Sequence, residues 1–333
     1  MNQVAPISID SSNLLITSHS IDGTFENCAR RFEFLHSYMM VPEFESDAFA
    51  ADVGTALHEA TQDWQRELVQ GTDSENARRL AEITLLKWWP WEIESKRVKE
   101  GKSIGLRTLG NALLLLDAIC ESDWWLDWEL VHVEGFGPAI EVPWRIVHRS
   151  LGLVHTPHGP KYLATQGKID FILRHKKTGV YRVIDLKTTE KSKPAHDAAF
   201  RFSGQAGQYG MVLDHALGLD WQKNGLNIVY LMAMFHEDGP VVYPLPYSLE
   251  PDEIQDSIDV KLERLHRMRA YANQQHWPRR SHGCEFWGSP CGFLDVCRRR
   301  DEKFLKQWFE FESASGRFKK NTRIYDPVWV LEA

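Results

Sequence analysis

KIDFILRHKKTGVYRVIDLK, residues 168–187, is the stretch that decides how the centre of this chain folds. Residues 168–174 (KIDFILR) and 180–187 (VYRVIDLK) are rich in β-branched and aromatic residues, and the polar turn HKKTG separates them. That pattern predicts a β-hairpin. With the turn centred between Lys177 and Thr178, Asp170 and Asp185 lie equally far from it. They then face each other across the strands, with Cβ atoms roughly 4.5–5.5 Å apart. Lys187 follows Asp185 by two residues and projects from the same face. Ile169, Phe171, Ile184 and Leu186 point the other way, into a core.

Two carboxylates and a lysine on a half-buried strand pair are costly unless something neutralises the acids. A divalent cation does so, and hard oxygen ligands suit Mg²⁺ or Mn²⁺. The competing reading is a plain cross-strand salt bridge on a solvated face. An Asp-x-Lys alone, expected about once by chance in a chain of this length, would not separate the two. The flanking motifs do. Gly54 to His58 (GTALH) falls on a predicted amphipathic helix over 51–70, whose apolar stripe is Val53, Leu57, Ala60, Trp64 and Leu68, with His58 at its edge. Gln205 and Tyr209 share one face of a predicted helix over 200–217 by their four-residue spacing. Arg201 on that helix is a candidate phosphate contact or an ordinary solvated residue.

In the order and spacing of these motifs the chain resembles the PD-(D/E)XK nuclease superfamily, in particular its RecB-like, AddB-like iron–sulfur exonuclease branch, which includes CRISPR-associated adaptation nucleases. Gly54 to His58 matches the family's metal-binding histidine motif, and the Asp170 strand matches its Gly-x-x-Asp. Asp185 and Lys187 match its Asp-x-Lys, and Gln205 and Tyr209 its Gln-x-x-x-Tyr. The resemblance spans roughly residues 12–308. It implies an α/β, restriction-endonuclease-like core, a mixed central sheet flanked by helices, as one domain over 1–333 with a helical cap at 71–130. It also implies that His58, Asp170, Asp185 and the Leu186 carbonyl bind one or two Mg²⁺ or Mn²⁺ ions. Lys187 would then orient water or stabilise the transition state, and Gln205 and Tyr209 would position Lys187 and the phosphate. The implied substrate is DNA, as single strands or strand ends.

The five cysteines are Cys28, Cys120, Cys284, Cys291 and Cys297. Cys120 ends an apolar run (LLLLDAIC) and reads as a buried structural thiol. The other four could hold zinc or an iron–sulfur cluster. The resemblance implies a [4Fe–4S] cluster, with Cys28 joined to the 284–297 segment as a module tying the N- and C-terminal regions together.

The net charge of −7 is unevenly spread: residues 261–333 hold 15 Lys/Arg and 9 Asp/Glu, so that segment is +6 and the remainder −13. A basic segment of this kind can make phosphate contacts. There is no signal-peptide pattern and no bilayer-length apolar run, so the sequence predicts a cytoplasmic protein with free thiols and no membrane partner. Gly101-Lys102-Ser103 imitates the end of a phosphate-binding loop, but Lys96 stands where its first glycine belongs. Any unwinding would therefore come from a helicase or recombination partner. A phage-encoded role, a CRISPR adaptation nuclease trimming spacer precursors, and a non-catalytic DNA-binding subunit retaining the cluster are the alternatives. The last is disfavoured by intact Asp170, Asp185 and Lys187.

Further helices are predicted over 24–40, 76–89, 106–128 and 254–273, and strands over 226–235 and 241–247. Residues 152–160 read as a loop, residues 1–11 as a loose terminus. Trp88/Trp89 and Trp124/Trp125 read as core anchors rather than base-stacking platforms.

Overall fold

The computed structural model describes residues 11–42, 49–122, 125–190, 204–280, 284–286, 289–321 and 326–333. The chain divides into two compact units. One takes in Met1–Ser46, Pro143–Gly167 and Ile258–Ala333, the other Asp47–Val142 and Lys168–Ser257. Arg201, Trp124 and the 1–10 terminus lie outside the described residues.

The second unit is built on a mixed sheet. Its hairpin joins the strand Lys161–His175, of which residues 168–175 belong here, to the strand Tyr181–Thr189. The antiparallel register runs from Phe171 opposite Ile184 to Arg174 opposite Tyr181, the register that places Asp170 across from Asp185. The strand Leu226–Met234 pairs parallel to Tyr181–Thr189, with Tyr230 opposite Asp185, and Val241–Leu249 closes the edge antiparallel. Phe171, Ile184, Leu186, Val229 and Leu231 alternate onto one face of this sheet. They pack with Val53, Leu57, Ala60 and Trp64 of the helix Phe49–Val69, and with the helices Ser74–Trp88 and Leu109–Cys120. At roughly 25 cal/mol per Å² of apolar area, this burial dominates the unit's stability.

Three sequence expectations change here. The helix predicted over 106–128 is Leu109–Cys120 only, and Trp128 begins a strand, Trp128–Leu130, paired with His175. A helix at Trp91–Lys99 was not expected, because its Glu- and Lys-rich sequence shows no apolar stripe and Pro90 separates it from its neighbour. Trp89 is a core residue, but Trp88 is 48 % exposed.

In the first unit the predicted 24–40 helix is broken. His19–Asn27 is capped by the Ser18 hydroxyl, and Cys28 is extended (φ −160°, ψ 106°). Ala29–Phe32 then runs into a wide turn of helix, Glu33–Ser37, before the strand Met40–Pro42. Periodicity misses the break because Phe25 and Phe32, on either side of it, enter the same cluster around Trp277. The 152–160 loop contains a two-residue strand, Leu153–Val154, paired with residues 161–162. Buried Asp22 accepts from the Thr17 hydroxyl at 2.7 Å and pairs with buried Lys261 (2.7 Å) and with Arg264 (2.9 Å). Asp22 therefore has the partners a buried charge requires.

His148, in the same unit, is buried beside the Thr165 hydroxyl at 3.0 Å. Burial, and then the Lys261 charge, push its pKa down to about 4. Between that value and its ordinary one near 6.5, the unfolded chain binds a proton that the folded chain refuses. Stability is therefore lost as pH falls through this window and is fully present above it. We expect urea denaturation at pH 7 and pH 5 to show about 2 kcal/mol more loss in the wild type than in His148→Asn. Equal losses would contradict this placement.

Candidate active site

All residues of the site described here belong to the second unit. The hairpin sets the carboxylates. Asp170 Oδ2 accepts the Leu186 backbone N–H at 2.8 Å, and Lys187 Nζ lies 2.7 Å from Asp185 Oδ1. Asp170 and Asp185 are both buried. Burial, followed by the charge of Asp185, raises the Asp170 carboxyl well above the usual range. Lys187 is pulled down by burial, but the carboxylates of Asp185 and Asp170 outweigh that and hold it above its ordinary value as an ammonium.

The helix Phe49–Val69 brings His58, whose Nδ1 lies 3.5 Å from Asp170 Oδ2. Burial, and then the Lys187 charge, lower its pKa, outweighing the Asp185 and Glu141 carboxylates and the Leu186 backbone, which favour the charged ring. A neutral imidazole is the form that ligates a metal. Gly54 lets this helix approach the hairpin, since a Cβ there would sit 2.8 Å from the Thr188 hydroxyl oxygen. Gly54→Val should cost about 1–3 kcal/mol through that overlap and push His58 away from Lys187. Adding Thr188→Ala should restore much of both stability and any cleavage rate. Additive losses in the double variant would show that the close approach is not what Gly54 provides.

On the helix Gln205–Leu217, Gln205 Nε2 donates to the Tyr209 hydroxyl at 3.2 Å. Tyr209 is buried, and burial, followed by the Asp185 and Asp170 charges, holds its phenol protonated.

Sequence reasoning missed Glu141. It lies in the strand Ile140–Val147 with φ 54°, a left-handed conformation that a non-glycine residue adopts at a cost of order 1–3 kcal/mol. Its carboxylate is held by Gln62 Nε2 (2.8 Å) and Lys168 Nζ (2.7 Å). Among the described residues, His58, Glu141 and Asp170 form the one group of three ligand-type side chains whose donor atoms lie within 4.8 Å of one another. No periodic pattern marks such a glutamate; its only trace in sequence is a lone acid in an apolar strand (AIEVPW).

The donor set fits a divalent cation. Besides His58, Glu141 and Asp170, the buried Asp185 Oδ2 has no hydrogen-bond partner, and a buried carboxylate oxygen is expensive without a donor or cation. A cleft of about 430 Å³ opens onto the group, lined by Gly54, Thr55, His58, Glu141, Lys168 and Lys187, among others.

The family model of the PD-(D/E)XK nuclease superfamily matches residues 17–298, which takes in every one of these groups. The chain belongs to the PD-(D/E)XK nuclease superfamily. Membership makes it a metal-dependent nuclease, a hydrolase, with a fold of the restriction-endonuclease-like kind. Among solved structures it is similar to one described as "Putative exonuclease" from Eubacterium rectale, at 11 % identity over 86 % of this chain and 88 % of that chain, with a TM-score of 0.45. It is also similar to the structure of SSO0001, at 13 % identity over 63 % and 74 %, with a TM-score of 0.20. No curated protein matches this chain. No helix among the described residues of this superfamily member is long and apolar enough to cross a membrane.

Proposed function

We propose that this nuclease is a metal-dependent DNA exonuclease acting on single strands or strand ends. The observation that carries the reading is the buried, partnerless Asp185 Oδ2 beside Asp170 and Lys187 on one strand face. Asp170, Asp185, His58 and the Leu186 carbonyl would hold Mg²⁺ or Mn²⁺, with Glu141 as a further ligand. A bound divalent ion supplies Lewis-acid stabilisation of the scissile phosphate and makes water easier to deprotonate. Lys187, an ammonium fixed by Asp185, would hold the attacking water or offset charge developing on the phosphate. Tyr209, kept protonated by burial and oriented by Gln205, would donate to the phosphate beside Lys187.

In the first unit we assign Cys28, Cys284, Cys291 and Cys297 as ligands of a [4Fe–4S] cluster in preference to zinc. All five cysteines are free thiols. The Cys284 carbonyl accepts the Cys291 N–H at 2.8 Å. The Cys297 thiol is raised by burial and then by neighbouring Cys28, with Cys291 also contributing. The Arg30 guanidinium, two residues after Cys28, donates to the Arg299 carbonyl, two residues after Cys297, so residue 28 lies near the end of the 284–297 segment, which supports a shared group. Structural zinc commonly uses short Cys-x2–4-Cys hooks, and this chain has none among these four. Free thiols suit a reducing compartment, so we read the enzyme as cytoplasmic, acting beside a helicase or recombination partner.

Linear and circular single-stranded DNA of one sequence, incubated with Mg²⁺ or Mn²⁺, test the exonuclease reading. Release of nucleotides from the linear form alone is expected. Equal cutting of the circle would make the enzyme an endonuclease.

A further inference from the structure

Resting on the nuclease reading, we propose that the corner between the helices Ser74–Trp88 and Trp91–Lys99 is a stacking platform for single-stranded nucleic acid on its way to the cleft. Trp88 and Trp91 are each 48 % exposed, whereas Trp89 between them is buried at 3 %. Large aromatic faces left in water three residues apart are unusual unless something covers them. Trp91 is fixed in place: its indole N–H donates to the Leu86 carbonyl at 3.0 Å, a bond that anchors the ring edge. A depression of about 570 Å³ opens beside it, lined by Trp91, Glu92, Ser95, Lys96, Lys99 and Glu100.

The charges of this corner favour a polyanion. Residues 91–107 carry five Lys/Arg against three Glu, in a chain whose net charge is −7. Of those acids, Glu94 accepts the Trp89 indole N–H at 2.9 Å and Glu100 is paired with Lys102 at 2.8 Å. Glu92 remains as the one opposing exposed carboxylate, against the exposed Lys96 and Lys99. Indole faces beside lysines are the chemistry that binds unpaired bases and their phosphates without regard to sequence. A duplex, whose bases are already stacked, offers the rings nothing comparable.

The corner is tied to both elements that carry the site. Arg97 lies over the ring of Phe49, at 5.4 Å, where the His58 helix begins. Arg107 pairs at 2.7 Å with Glu190, which directly follows the strand of Asp185 and Lys187. A strand lying on Trp88 and Trp91 therefore rests on a corner that, with the segment after it, is connected to the elements that hold the catalytic groups.

The test uses the full chain in EDTA and a fluorescein-labelled oligothymidylate of about twenty nucleotides, longer than the roughly 4–16 nucleotides that one such surface usually engages. Anisotropy should show affinity falling about tenfold in Trp91→Ala and further in Trp88→Ala/Trp91→Ala. Trp91→Phe, which keeps an aromatic face, should stay within about threefold of wild type. Lys96→Glu/Lys99→Glu should weaken binding and flatten its salt dependence by about two phosphate contacts. With Mg²⁺ restored, cleavage of a dinucleotide, too short to reach the platform, should be unchanged in every variant. Matching melting curves would exclude unfolding as the cause. Wild-type affinity in Trp88→Ala/Trp91→Ala would overturn the platform, leaving the nuclease reading intact and turning attention to a protein partner for these rings. A wild-type enzyme that neither binds nor cuts any oligonucleotide would overturn both.

Discussion

Asp170→Asn should remove roughly a thousandfold or more of the cleavage rate while leaving the metal-free protein as stable as wild type, or more so. The two effects have one source. Asp170 is buried against Asp185, and its carboxyl is raised by burial and by that neighbouring charge. In the folded protein without metal, ionising it is unfavourable, so its contribution to stability is fully present below the ordinary carboxylate range. That contribution is lost as pH rises through the raised folded value. Asparagine keeps the shape and can still accept the Leu186 N–H through its carbonyl oxygen. It removes the repulsion, and with it the charge a cation needs. In thermal melts at pH 8, Mn²⁺ should therefore raise the melting temperature of the wild type, a stability gain of about 2.7 kcal/mol at a hundredfold excess over its dissociation constant, and leave Asp170→Asn unmoved. A variant that keeps full activity, or that still responds to Mn²⁺, would remove Asp170 from the site.

Cys28→Ser should bleach the brown colour expected of a [4Fe–4S] protein purified without oxygen, and lower its stability by a few kcal/mol. Cys28 is buried where the two N-terminal helices break, and the other proposed ligands begin at residue 284. A ligand set bridging that separation closes a very long loop, and its loss frees both ends to fray. Cys284→Ser, Cys291→Ser and Cys297→Ser should behave alike. Cys120→Ser is the control: that thiol packs against the core of the other unit, and burial pushes it up to about 12, so colour should persist. A colourless wild type holding one zinc per chain would replace the cluster with zinc without touching the nuclease site.

The parts of the site that could be read in the sequence were those whose geometry is local. A hairpin with a short turn fixes its own register, so Asp170, Asp185 and Lys187 could be put on one face by counting from HKKTG. A four-residue helical step did the same for Gln205 and Tyr209. What stayed hidden depends on contacts distant in sequence or on backbone irregularity. Glu141 enters the site through a left-handed residue inside a strand and two partners, Gln62 and Lys168, brought there by other elements. The break at Cys28 leaves the apolar period undisturbed, because both flanking helices bury phenylalanines in one cluster. The Trp91–Lys99 helix has no buried residue, so no apolar stripe announced it. Trp88, just before it, reads as a core anchor for a related reason: a tryptophan reads as core until its exposure, here 48 %, is known.

The central claim is that Asp170, Asp185 and Lys187 form a divalent-metal nuclease centre. The most direct measurement is release of acid-soluble nucleotides from labelled single-stranded DNA by wild type and Asp185→Ala, in Mg²⁺, in Mn²⁺, in EDTA, and in EDTA followed by excess metal. The wild type should digest the DNA with either metal, stop in EDTA and resume when metal returns, and Asp185→Ala should release nothing above background. Digestion that persists in EDTA, digestion by Asp185→Ala at the wild-type rate, or a wild type inert with both metals would contradict it.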